Sequence, residues 1–194
     1  SDAEFEFVGF RLYGAGSKDD LYVELMDGIL SNGTAGLIDI NLNQSQKVLR
    51  ARSSVTVNED YSMLMLSGNN RQGQSLKEVR NLLLEQVELA KKGEFEDWMI
   101  QAVVRKFKRD LMGQMEANRI RAYLMSDAFI LNKNWQQAAT RYDRMAEITK
   151  EDFTAWAQEK FGNNYVAVDK IIGEKNVHKV DKPQITQVPI NRDT

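Results

Sequence analysis

The fold is decided by residues 34–68, TAGLIDINLNQSQKVLRARSSVTVNEDYSMLMLSG. The apolar segment at residues 37–42 predicts a short helix. Residues 54–58 then alternate polar and valine side chains, which is the period of a half-buried strand. After a turn built from Asn, Glu and Asp, the apolar run at residues 61–66 is typical of a strand inside a sheet. The stretch therefore predicts a short helix followed by an antiparallel hairpin.

One further strand is predicted near each end of the sequence. Residues 4–13 predict a first strand, in which Gly9 indicates a bulge or a close backbone approach. A helical stripe follows over residues 17–33. Residues 165–172, YVAVDKII, predict the last strand. Because all the remaining periodic segments are helical, we expect an α+β fold: a mostly antiparallel sheet with helices packed on one face.

The helices after the hairpin have recognisable starts. Ser75 and Glu78 form the capping box of a helix that Gly93 ends. A second helix is predicted over residues 94–131, with a kink near Gly113. Acidic side chains at its start would suit the positive end of the helix dipole. Two further helices are expected over residues 135–148 and 149–161.

Composition limits the classes of protein to which the chain can belong. Its 194 residues suffice for one sizeable core, and we assign residues 1–173 to a single α+β domain and residues 174–194 to a polar linker or tail. The net charge of −2 gives no general attraction to nucleic acid or to an acidic membrane. No apolar run approaches the roughly 20 residues that cross a bilayer. The chain begins at Ser1 without a leader, which we interpret as an excised or processed piece.

Four stretches, in matching order, carry a resemblance to a known family: GLIDINLNQSQKVLRARSSV, GQSLKEVRNLLLEQVELAKKGEFEDWMIQAV, MAEITKEDFTAWAQEKFGNNYVAV and KPQITQVPINRD. The chain resembles one domain of the insulinase or pitrilysin-type zinc metallopeptidases, the inverzincins that include the mitochondrial processing peptidases. The resemblance implies a non-catalytic domain of a larger bacterial member, with the last stretch leading to a following half. The sequence does not fix the compartment, and the resemblance is compatible with the bacterial periplasm or cell envelope.

The resemblance also implies where zinc is bound. In the family, an inverted His-Xaa-Xaa-Glu-His helix in a different domain supplies two ligands and the general base, and a downstream glutamate completes the site. A catalytic zinc needs three protein ligands and an open position. This chain has no cysteine and one histidine, His178, which lies in the polar tail. We therefore expect no cofactor in this chain, an inert His178, and zinc in the longer protein.

The family's second feature is an arginine and a tyrosine seven residues apart that hold substrate in the half opposite the zinc. The corresponding positions in this chain are Asn43 and Arg50, and neither matches. These residues are therefore only weak candidates for substrate binding, and Arg50 is more simply explained as a solvated arginine at the end of a strand. The departure indicates a domain without a direct catalytic role. It fits a chamber-wall domain of the zinc half, and it also fits an inactive homologue that acts as a scaffold or partner subunit.

The resemblance implies as partners the sister domains of the same chain or a paired subunit, and a peptide substrate in the longer protein.

A third hypothesis, a nucleic-acid module, rests on the basic stretch at residues 105–121. The slightly acidic composition disfavours it, so we expect a solvated face and no nucleic acid. Gly14 to Ser17 precede a helix, but a strand-to-helix turn explains them better than a phosphate loop. Because an excised domain loses its neighbours, we also expect exposed apolar side chains.

Overall fold

The computed structural model describes residues 3–173, and the tail with His178 lies outside the described residues. The strands are β1 (Phe5–Tyr13), β2 (Arg50–Val57), β3 (Tyr61–Asn69) and β4 (Tyr165–Lys170). The helices are α1 (Asp19–Leu30), α2 (Leu76–Lys92), α3 (Met99–Gln114), α4 (Asn118–Ile130), α5 (Trp135–Ala139), α6 (Arg141–Met145) and α7 (Lys150–Lys160). The short helix predicted at residues 37–42 is a π-helix, Asp39–Gln44.

The four strands form one antiparallel sheet in the order β2-β3-β1-β4. The predicted hairpin is its β2–β3 pair, and the first and last predicted strands pair with each other. One row across the sheet joins Val55, Leu64, Phe10 and Tyr165. The α+β prediction, with helices on one face of an antiparallel sheet, is therefore confirmed.

The helix-covered face of the sheet contains the core. Along β1, side chains alternate between buried and accessible, and Val8, Phe10 and Leu12 are on the buried side. Helix α2 packs across β1 and β3, α1 packs on β2, and α7 packs on α2. The Phe10 ring meets Phe161 edge to face, with 5.0 Å between the ring centroids. The strand alternation of the sequence is thus used to bury one side of the sheet.

The prediction of a bulge or a close backbone approach at Gly9 is wrong. The pairing of β1 with both neighbours runs through Gly9 without a bulge, and a side chain there would meet nothing within 4 Å. Close approaches occur instead at other glycines, and at two of them the neighbour is a side chain of a packed helix. A Cβ on Gly68 would lie 2.5 Å from Val79 of α2, and one on Gly28 would lie 2.3 Å from Val103 of α3.

The helix ends follow the capping signals where those signals are strong. The Ser75–Glu78 capping box is present, and Gly93 ends α2 in the left-handed conformation. Thr149 starts α7 with a second capping box. The single helix predicted over residues 94–131 is wrong, because the chain forms α3 and α4 with extended backbone at Ala117 between them. The predicted helix over residues 135–148 is likewise two short helices.

A partly buried ion cluster joins α2 to the sheet. Glu6 on the helix-covered face is fully buried, and Arg80 of α2 donates to its two carboxylate oxygens at 2.7 and 3.2 Å. Arg80 also pairs with Asp169 of β4. Burial raises the pKa of Glu6 in spite of Arg80, whereas hydrogen bonding to Glu6 lowers the pKa of Asp169. The arginine thus holds the first and last strands together.

Candidate functional site

The second face of the sheet, which we call the open face, lies opposite the helices. One row across it joins Arg52, Ser67, Phe7 and Val168. Val168 is 54% exposed and Phe7 is 36% exposed. The other apolar side chains of this face are Phe5, Tyr13, Tyr61, Met63, Met65 and Val166. The exposed apolar side chains expected from the sequence are therefore present, and these ones share one face of the sheet.

A shallow pocket of about 230 Å³ lies at one end of the open face. The sequence-predicted Arg50 lines it together with Arg52, and both side chains are exposed. Phe5 and Phe7 form its aromatic wall, with 4.8 Å between their ring centroids. Two guanidinium groups beside apolar rings can bind carboxylate or carbonyl groups of an extended chain.

Asn43, the other predicted site residue, lies at the π-helix and contacts the backbone of β2. Its side-chain amide donates to the carbonyl of Ala51 at 2.8 Å, and its amide oxygen accepts from the N–H of Ala51 at 2.7 Å. This pair of bonds imitates the pairing of a neighbouring strand. The structure therefore places Asn43 where it fixes the start of β2, next to Arg50, and not on the open face.

The π-helix that carries Asn43 is itself fixed by Asp39. This buried carboxylate accepts from the N–H groups of Asn32, Gly33 and Gly36 at 2.9, 2.8 and 3.2 Å. The sequence contained a signal for this role, because Asp39 is the one charged residue in the apolar run of residues 37–42. Sequence reasoning nevertheless missed it.

The turn between the π-helix and β2 is held by the loop that follows β3. Arg71 donates to the carbonyl of Gln46 at 2.8 Å, and Gln74 donates to the carbonyl of Lys47 at 3.0 Å. Gln46 has a positive φ of 54°, an uncommon conformation for a residue other than glycine. The backbone that presents Arg50 is therefore fixed from both sides.

A second group that sequence reasoning missed is Asp27 of α1. It lies against β2, where the Ser53 hydroxyl donates to its carboxylate at 2.5 Å. Burial raises the pKa of Asp27 to about 6, and the hydrogen bond from Ser53 opposes this rise. The only sequence signal is an aspartate on the inner side of an amphipathic helix.

The remaining sequence features have structural roles. Gly14 to Ser17 form the expected strand-to-helix turn, in which the Ser17 hydroxyl donates to the Gly14 carbonyl at 2.6 Å. Trp156 is buried and donates to Asp19 at 2.9 Å. In the basic stretch, Lys106 and Lys108 form ion pairs with Asp110 and Asp143.

The described residues do not fit a zinc ion. Residues 3–173 contain no histidine and no cysteine, and no group of three potential ligands in this part of the chain could hold a metal. In the same residues, no helix has the length and apolar character that crossing a membrane requires.

Comparison by sequence identifies no relative. No protein-family model matches the chain, and no curated protein matches it.

Comparison by structure gives a consistent set of neighbours. A protease from Helicobacter pylori superposes with a TM-score of 0.80 at 17% identity, over 87% of this chain and 41% of its own. The inactive peptidase domain of a protein described as a zinc protease, from Bordetella parapertussis, superposes with a TM-score of 0.76 at 15% identity. The match covers 90% of this chain and 96% of the Bordetella chain. The inactive domain of an M16 peptidase from Pseudomonas fluorescens superposes with a TM-score of 0.71 at 14% identity. The match covers 86% of this chain and 40% of the Pseudomonas chain.

These neighbours define the fold class. The chain has the fold of the domains of M16-like zinc proteases, including domains described as inactive, and the resemblance seen in the sequence is confirmed at the level of the fold. The chain spans about two fifths of the Helicobacter and Pseudomonas proteins and nearly all of the Bordetella domain.

Proposed function

We propose that this chain is a non-catalytic domain of a larger zinc metalloendopeptidase, in which its open face forms part of the wall of the substrate chamber. The observation that carries the proposal is the open face itself: its exposed apolar side chains adjoin two exposed arginines of β2, Arg50 and Arg52, and the helices lie on the other side. A surface of this kind suits an extended peptide, which offers both apolar side chains and carbonyl oxygens.

The fold neighbours support the proposal in two respects. Several belong to chains more than twice as long as the matched part, so a domain of this fold occurs beside others. Two are described as inactive domains of peptidases. Under this proposal, zinc is bound in another domain of the longer protein, and sister domains or a paired subunit cover part of this one.

Within this proposal, Arg50 contacts peptide directly, whereas Asn43 acts by positioning the start of β2. Replacing Arg50 by glutamine removes one charged donor from the pocket and leaves the strand intact. We expect weaker binding of an unstructured peptide to Arg50→Gln than to the unchanged chain, by about tenfold. The matched control is Arg109→Gln on α3, whose side chain is exposed and does not line the pocket. Equal peptide affinity in Arg50→Gln and the unchanged chain would remove Arg50 from the proposal.

Zinc content and peptide cleavage test the non-catalytic role. The purified 194-residue chain is dialysed against zinc, freed of excess metal, analysed for bound zinc and incubated with a fluorogenic peptide. We expect less than one zinc per chain and no cleavage. Stoichiometric zinc together with cleavage would overturn the proposal.

A second candidate is an inactive homologue that serves as a scaffold or partner subunit. The observation that favours it is the Bordetella domain, of which this chain covers 96%. The coding sequence upstream of Ser1 discriminates between the two candidates. A His-Xaa-Xaa-Glu-His helix about one domain length upstream supports the chamber-wall role, and its absence supports the scaffold.

A further inference from the structure

A polar cavity of about 430 Å³ lies between the start of α1 and the segment from the end of α4 to α6. It is on the helical side of the molecule, apart from the open face. Its volume is in the range of small-ligand sites. Four cationic side chains line it: Lys18, Lys133, Arg141 and Arg144.

Two of these cations are neutralised by carboxylates of α1. Lys133 pairs with Asp20 at 2.8 Å, and both side chains are about nine-tenths buried. Arg141 pairs with Glu24 and lies 3.5 Å from the second oxygen of Asp20. The Tyr142 hydroxyl also donates to Glu24, at 3.0 Å. These contacts fix the inner wall of the cavity and cancel its internal charges.

The other two cations, Lys18 and Arg144, have no carboxylate partner among the described residues to neutralise them. Within residues 3–173, neither Lys18 nor Arg144 forms an ion pair. The Arg144 guanidinium is held at the cavity by a hydrogen bond of 2.9 Å to the Gln137 carbonyl. In addition, the buried Nε of Arg141 and the buried Oδ1 of Asp20 have no hydrogen-bond partner in the described part of the chain. The cavity thus has two positive charges without a carboxylate partner in this part of the chain, and Arg141 has one unused hydrogen-bond donor.

We propose that this cavity binds a small anion with two or more negatively charged oxygens, such as those of a carboxylate or phosphate group. Charge-assisted hydrogen bonds from guanidinium and ammonium groups are the means by which proteins hold carboxylate and phosphate oxygens. The source is either a free anion such as phosphate or the acidic side chains of a peptide. The backbone of the Gly14–Ser17 turn is not the binding element, because the N–H of Gly16 already donates to Asp20 at 3.2 Å. The site consists of side chains.

Calorimetric titration of the 194-residue chain tests the proposal. One arm uses inorganic phosphate, and the other uses the acetylated, amidated dipeptide Glu-Glu. We expect millimolar or tighter binding of at least one ligand, weakened by added salt because exposed charges are screened. Binding of phosphate alone indicates a free anion, and binding of the dipeptide indicates an acidic peptide segment; both outcomes support the site.

Variants locate the binding. In Lys18→Gln/Arg144→Gln we expect affinity to fall by about tenfold or more, the effect of losing charge-assisted hydrogen bonds. Both residues are exposed, so the variant keeps its fold, which thermal unfolding without ligand verifies. Arg109→Gln is the matched control and keeps the affinity of the unchanged chain. The proposal is overturned if neither ligand binds at millimolar concentration, or if the double variant binds as tightly as the unchanged chain.

Discussion

The two faces of the sheet are built from alternate residues of the same strands, yet they differ in burial, in packing and in ion pairing. On β1, Phe10 is 1% exposed and packs against Phe161 and Tyr165. Three residues earlier, Phe7 lies on the open face and is 36% exposed. The same residue type thus serves the core at one position and a surface at the other. Among the described residues, the open-face ring therefore has fewer packing contacts than the core ring, and we expect it to contribute less to stability.

The ion pairs differ between the faces in the same way. On the helix-covered face, the fully buried Glu6 is paired with Arg80. On the open face, Arg50 and Arg52 are exposed, and neither forms an ion pair within residues 3–173. A buried charge must be paired, whereas an exposed guanidinium stays solvated until a ligand arrives. Four comparisons between variants, in order of decreasing expected effect, test this contrast between the faces and the contacts behind it.

The sharpest contrast is between Phe10→Ala and Phe7→Ala. Removing the buried ring should lower the free energy of unfolding by about 3–5 kcal/mol, since a cavity is left in the core. Removing the open-face ring should cost about 1 kcal/mol or less. Urea denaturation followed by circular dichroism measures both. Equal losses would show that the two faces are equally important for stability, against our interpretation.

Arg80→Ala should leave Glu6 buried without its cation and lower the free energy of unfolding by about 2–3 kcal/mol at neutral pH. This is below the usual range for a buried pair because Arg80 is 25% exposed. The loss should shrink in acid, where Glu6 is protonated and needs no partner. The control Arg52→Ala on the open face should change stability by about 0.5 kcal/mol at most. An acid-independent loss would mean that Arg80 acts through packing alone.

Asp27→Asn should stabilise the chain. The folded-state pKa of Asp27 is about 6, above the ordinary 3.8, so its contribution is most favourable in acid and is lost as pH rises through this interval. Asparagine keeps an oxygen for Ser53 and carries no charge. We expect a gain of about 1–2 kcal/mol at neutral pH and none below pH 3.8.

The difference between the unfolding free energies of Asp27→Asn and the unchanged chain, measured at a series of pH values, checks this prediction. Asp60→Asn, in the exposed β2–β3 turn, is the control for the loss of a surface carboxylate. A stability difference for Asp27→Asn that does not change with pH would show that the carboxylate is not buried as described.

Asn43→Ala should have the smallest effect, a loss of about 1 kcal/mol from two hydrogen bonds to the backbone of Ala51. Hydrogen exchange at the Ala51 amide should accelerate, because its acceptor is gone. Asn41→Ala, which removes a hydrogen bond to Gln86 at the same π-helix, is the control and should leave that amide protected. Unchanged exchange at Ala51 in Asn43→Ala would show that this side chain does not fix the start of β2.

Sequence patterns predicted the parts of the fold that depend on local periodicity. The hairpin, the first and last strands, and the capping box at Ser75 all follow from neighbouring residues. The break between α3 and α4 does not, because residues 94–131 have helical periodicity throughout and the break at Ala117 has no capping side chain. The prediction at Gly9 fails for a related reason: close approach at Gly68 and Gly28 depends on which helix packs there, and that information is tertiary.

The candidate site was less predictable than the fold. Position counting located Asn43 and Arg50 but not their different roles, since Asn43 bonds to Ala51 only after the intervening turn has formed. The aromatic wall beside Arg50 consists of Phe5 and Phe7 of β1, which lie more than 40 positions away in sequence. The anion cavity joins residues of α1 to residues of α6 in the same way. Contacts between residues so far apart in sequence produce no periodic pattern from which they could be predicted.

The most direct test of the open face uses the eight methionines as probes. Met63 and Met65 lie on the open face, Met26 and Met145 are fully buried, and Met112 and Met125 are exposed on the helical side. Methionine-methyl NMR spectra are recorded while oxidised insulin B chain, an unstructured peptide, is added. Our account predicts shifts confined to Met63 and Met65. Shifts at Met112 and Met125 with none on the sheet, or no shifts at all, would contradict it.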